Sequence, residues 1–212
     1  NQTNKPSIQA FKNPMPQKKI KKENKKPQKT SLFERLNGWF DKNYSGLMVF
    51  LCVLCFIFSM LLFNVRISEG GDDSAYIEAG YNYSKDFFNY HFTYNAPLYP
   101  MFLSIPIKFF GMNLRLLKFT SVIFSLLHLI FLFLAFKKRI PNLILYPVLF
   151  IVTINSYFLY HASQTYNEAF FLFVQAMFLY AAFRLVDKTE ITGNKLPDTY
   201  KHWLFFGFSV FI

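Results

Sequence analysis

Gly46 to Phe63 reads GLMVFLCVLCFIFSMLLF, eighteen residues without a charge. An α-helix crosses the roughly 30 Å hydrocarbon core of a bilayer in about 20 residues, so this stretch and its flanks predict a membrane span over about 46–65. Similar runs predict spans over 117–136, 141–160 and 168–186, and another begins at Trp203. The composition agrees: 53% of the 212 residues are hydrophobic and only 17% charged, with 29 Phe and 13 Tyr. Disorder needs low hydrophobicity and a soluble domain does not repeat runs of this length, so both classes are excluded. The expected fold is all-α: a multi-pass helical membrane protein.

Charge then sets the organisation. Residues 1–35 hold ten Lys/Arg against Glu23 and Glu34, a net +8 of the formal +11. Residues 1–43 read as a basic, largely disordered cytoplasmic tail ending in a short interfacial segment, Leu32 to Phe40. A solvated topogenic tail is the plain reading; contact with anionic membrane lipids is the functional one. No aromatic or fold motif in the tail supports a nucleic-acid partner. Residues 44–212 form the N-terminal part of a transmembrane domain, read as a fragment because the chain opens without Met and stops ten residues into the run from Trp203. The first span has no small-residue cleavage site after it and is expected to stay as an anchor. Cys52 and Cys55 lie within it, as small apolar packing residues.

With the tail inside, Lys137-Lys138-Arg139 and Arg184 fall on the cytoplasmic side at successive turns, as the positive-inside rule requires. The outer loop, 66–113, carries three Lys/Arg against five Asp/Glu, a net −2. Its pattern predicts two juxtamembrane helices. One starts at Asp72 or Asp73 and runs to about Tyr83, with Tyr76, Ala79 and Tyr83 on one face; the other is Pro97 to Phe110, broken by prolines and too short to span.

Asp72-Asp73 follows Gly70-Gly71 where extended chain turns into the first of these helices, beside the membrane. A carboxylate placed there can take a proton from an attacking hydroxyl. The plain alternative is an N-cap with helix-dipole stabilisation, worth about 1 kcal/mol. The segment Asp72-Asp73-Ser74-Ala75-Tyr76-Ile77-Glu78-Ala79, followed by Ala96-Pro97-Leu98-Tyr99 and then Asn113-Leu114-Arg115-Leu116, resembles the GT-C glycosyltransferases. The nearest group is the protein O-mannosyltransferases and aminoarabinose transferases. The resemblance covers Gly70 to Val186, by order of features.

That resemblance implies transfer of a sugar from a polyprenyl-phosphate donor to an acceptor hydroxyl of a glycan, lipid or protein, with inversion, on the extracytoplasmic face of a membrane such as the bacterial inner membrane. It implies Asp72 as catalytic base and Asp73 as its partner. His161-Ala162-Ser163-Gln164-Thr165-Tyr166-Asn167-Glu168 resembles the family's second outer loop and brings Glu168 to the same face. Glu168, Tyr76, Arg115 and Lys118 are the substrate-binding candidates; for Arg115 and Lys118 the role is to hold a lipid phosphate, against plain snorkelling to headgroups. A divalent metal ion is left open. Ala75 and Tyr94-Asn95 stand where some aminoarabinose-transferase-like members have residues serving phosphate and metal, and His91 and His161 lack ligand spacing and read as surface hydrogen-bonders. His128, inside a span, is expected to face the bundle. The rival readings are a transporter or flippase, with Asp72, Arg115 and Glu168 lining a pathway, and a non-catalytic scaffold.

Overall fold

The computed structural model of the protein describes residues 31–67, 72–93 and 97–192. The basic tail, Gly70-Gly71, Tyr94-Asn95 and the run from Trp203 lie outside the described residues. Within them every regular element is a helix: α1 (Leu32–Lys42), α2 (Tyr44–Leu62), α3 (Asp72–Lys85), α4 (Leu98–Phe110), α5 (Leu114–Phe136), α6 (Asn142–Ile154), α7 (Ser156–Ala162) and α8 (Asn167–Thr192).

Among the described residues three helices are long and apolar enough to cross a membrane: α2, α5 and the Asn167–Asp187 part of α8. The expected span over 141–160 is instead a pair, α6 and α7, bent by 61°. Asn155 sits at the break in an extended conformation, and its side chain accepts from the Phe158 N–H at 3.0 Å, capping α7 rather than continuing α6. Counting that pair as one gives up to four spans.

Local chemistry explains the outer elements. Asp72 and Asp73 lie in the first turn of α3 and Lys85 in its last, each matching the helix dipole. Gly111, at φ 69°, ends α4 in the left-handed region that a side chain disfavours. Two residues later the Asn113 side chain accepts from the Leu116 N–H and starts α5. Gly80 lets α3 lie close on α4: a Cβ there would meet Leu103 Cβ and Ile107 Cδ1 at 3.0 Å and the Pro100 carbonyl at 3.3 Å.

Two apolar cores meet on α5. One joins Met48, Leu51 and Cys55 of α2 to Leu129 and Phe133 of α5, Leu145 and Leu149 of α6 and Phe158 of α7. The other joins Ile77 of α3 and Tyr99, Leu103 and Ile107 of α4 to Leu117 and Phe124 of α5 and Phe170 and Val174 of α8. The helix pair α3–α4 is thereby packed onto the start of α5 and α8.

Polar contacts gather at the two ends of the bundle. At the end carrying Lys42, Lys137 and Lys138, the Asn142 amide donates to Asp41 at 2.7 Å, Tyr146 donates to the Tyr44 carbonyl at 2.6 Å and Arg139 pairs with Asp187 at 2.7 Å. The opposite end holds α3, α4 and the α7–α8 turn.

Candidate functional site

Asp73 and Lys118 meet at that opposite end. The Lys118 ammonium is 3.4 Å from the Asp73 carboxylate, and neither side chain is exposed. It donates to Gln164 Oε1 at 2.6 Å, to Asn64 Oδ1 at 3.4 Å and to the Arg66 carbonyl. One cation therefore ties together the segment after α2, the first turn of α3, the start of α5 and the α7–α8 turn. An ammonium has three donors, and protein acceptors occupy this one fully. The geometry makes Lys118 the holder of Asp73 and of the turn; it is neither at the surface nor directed at a phosphate.

Asp72, the other acid of the pair, is exposed. Tyr76, four residues on, is half-buried, and its pKa is raised above the ordinary 10, first by burial and then by the nearby charges of Glu168 and Asp72. The phenol thus stands within electrostatic reach of both carboxylates. Tyr99, fully buried against Tyr76 with ring centroids 5.4 Å apart, is raised too, by burial first and with contributions from Asp73 and Glu168, while its 3.4 Å contact with Ser121 opposes the shift. Tyr76 and Ile77 of α3 pack with Tyr99 of α4 and with Ala169 and Phe170 of α8, which brings the first turns of α3 and α8 to one end of the bundle.

Glu168 is 43% exposed at its side chain and lies 3.6 Å from His161 Nδ1. His161 is not the surface hydrogen-bonder expected: it is 7% exposed. Tyr157, Tyr160 and Tyr166 pack around it, with ring centroids at 4.3, 5.3 and 5.8 Å. Ser163, Gln164 and Thr165 are buried as well. Gln164 and Asn64 were not among the expected site residues. The signal for Gln164 was the uncharged, largely polar run His161 to Asn167, which is costly to bury unless its groups have partners; Asn64, between Phe63 and Val65, gave none.

Arg115 joins none of these groups. It lines an open groove of about 530 Å³ with Val65, Phe110, Met112, Asn113 and Leu114. His91 is exposed, and His128, buried in α5, has its Nδ1 2.8 Å from the Leu172 carbonyl of α8. Among the described residues no three His, Cys, Asp or Glu side chains come together as metal ligands. The His161–Glu168 pair offers two donors where a protein-only cage needs more.

The architecture defines a class, that of helical membrane proteins with several spans. Comparison of the chain with protein-family models, curated proteins and solved structures gives no match.

Proposed function

We propose that the chain is a membrane glycosyltransferase of the GT-C kind, with Asp72 as base and its reaction region bounded by Asp72, Tyr76 and Glu168 on the extracytoplasmic side. The observation that supports this reading is packing: Tyr76, one turn after Asp72 on α3, lies against the core that Ile77 shares with Ala169 and Phe170, the residues that follow Glu168 on α8. One acid of the pair is buried against Lys118 and held fixed; the other faces solvent, where an acceptor can reach it.

The chemistry asked of this region is simple. The acceptor oxygen bonds to the anomeric carbon while the bond from that carbon to the phosphate oxygen breaks, the electron pair leaving with the phosphate. Asp72 takes the acceptor's proton. The phosphate leaves without needing a general acid, so a single carboxylate base suffices. Tyr76 and the half-exposed Glu168 supply hydrogen-bonding groups for sugar hydroxyls, and Tyr76 keeps its proton well above neutral pH, so it donates.

Location favours transfer over transport. A transporter's ionisable groups line a path near the bilayer midplane, whereas Asp72, Asp73, Lys118 and Glu168 all lie at one end of the bundle. His128, the buried histidine within α5, is occupied by a backbone carbonyl.

The test is an assay of membranes given a polyprenyl-phosphate-linked radiolabelled sugar. Asp72→Asn is expected to lower transfer by about a hundredfold or more with insertion and thermal stability unchanged. Wild-type transfer by Asp72→Asn would remove the site assignment.

A further inference from the structure

The groove beside Arg115 is built from different residues than the carboxylate region and has a different chemistry. Val65 forms one wall, while its neighbours Asn64 and Arg66 serve Lys118. Phe110, Met112 and Leu114 are its other apolar walls, the first two 67% and 51% exposed. The apolar surface continues along α4 through exposed Phe109, Ile105 and Phe102, a stripe at helical spacing. Arg115 stands at its end, itself exposed and without an ion pair to any described residue. The α5 N-terminus adds little, because Asn113 already accepts from the Leu116 N–H.

We propose that this groove seats an anionic phospholipid of the surrounding bilayer, with its phosphate on the Arg115 guanidinium and its first acyl carbons on Phe110 and Met112. Three features select that occupant. The groove lies where α2 ends and α5 begins, two helices of membrane-crossing length, so it opens at the level of lipid headgroups. A guanidinium fork matches a phosphate bidentately. The apolar stripe running from the cation needs a ligand with a tail, since a water-soluble phosphate would leave Phe110 and Met112 uncovered. At about 530 Å³ the groove is within the size range of small-ligand sites, roughly 300–1,000 Å³. The bound lipid pins the α4–α5 turn to the membrane surface. The proposal rests on the membrane reading alone and holds whether or not the protein transfers sugar.

The experiment reconstitutes the full chain in nanodiscs containing equal phosphatidylglycerol and phosphatidylcholine, releases it into detergent and counts retained lipids by native mass spectrometry. The wild type is expected to keep phosphatidylglycerol preferentially. Arg115→Gln should lower that retention about fivefold, the effect of one juxtamembrane cation. Met112→Trp, which fills the groove without changing charge, should lower it as well. Lys108→Gln, which removes a nearby exposed charge outside the groove, should not. Circular dichroism of each variant checks the helical fold, and Met112→Trp keeps the test decisive if Arg115→Gln does not insert. Equal retention of the two lipids, equal loss in Lys108→Gln and Arg115→Gln, undiminished retention in Met112→Trp, or displacement of the lipid by inorganic phosphate alone would each overturn the proposal.

Discussion

Lys118 and Asp73 form an ion pair at 3.4 Å with no solvent on either side chain. Taking two charges out of water costs several kcal/mol per ion and is offset only when the geometry is good and the remaining donors are used. Here Gln164 and the Arg66 carbonyl complete the ammonium's shell. Removing the cation leaves a carboxylate in a site shaped for a pair. Lys118→Met is expected to destabilise the protein by about 3–5 kcal/mol, and adding Asp73→Leu should recover most of the loss. Thermal unfolding in detergent measures both; a single variant as stable as wild type would show that the pair does not hold α3 to α5.

Gly80 sets the distance between α3 and α4. Leu103 Cβ and the Pro100 carbonyl, 3.0 and 3.3 Å from where a Cβ would stand, are fixed to the backbone and cannot swing aside, unlike Ile107 Cδ1. Gly80→Leu is therefore expected to cost about 1–3 kcal/mol through overpacking, and Gly80→Ala less. The sign is readable by limited proteolysis, with faster cleavage between α3 and α4 in the Leu variant. Unchanged cleavage would mean that the two helices are not packed this closely.

Much of the fold was legible because lipid imposes a length: the eighteen uncharged residues from Gly46 needed no tertiary information to be read as a span. The site was legible only in outline. Successive residues on a helix point about 100° apart, so nothing local says which of Asp72 and Asp73 turns inward; the Lys118 ammonium decides it. Lys118 itself looked like a cation at a helix end, able to snorkel, and it takes the Asp73 carboxylate together with the Gln164 side chain and Arg66 carbonyl, 46 and 52 residues away, to make its burial tolerable. His161 had no visible reason to be buried until three tyrosines closed on it.

Asn155 was equally opaque, since a polar residue inside an apolar run reads as part of the span until its cap is seen. Asn155→Leu removes the acceptor for the Phe158 N–H, and the expected cost is about 0.5–2 kcal/mol. The same change lets α6 and α7 straighten, which a pair of spin labels at exposed Ile151 and Tyr157 would report as a longer separation. An unaltered distance would assign the 61° bend to packing rather than to the cap.

The proposed convergence of Asp72 and Glu168 on Tyr76 is testable without knowing any substrate. Tyr76 is neutral when protonated, so burial and the two carboxylates all oppose its ionisation and raise its pKa above 10. The folded protein then keeps a proton that the unfolded chain releases, and the linked stability is complete below the unfolded pKa near 10 and lost as pH rises through the folded one. A difference titration of phenolate absorbance, wild type minus Tyr76→Phe, isolates this group. Glu168→Gln is expected to bring the midpoint down toward 10, Asp72→Asn to do so by less, and the double variant to leave only the shift due to burial, which is the largest cause. A midpoint that neither carboxylate variant moves would place Asp72 and Glu168 out of reach of the phenol and of each other, and the shared region between α3 and α8 would have to be abandoned.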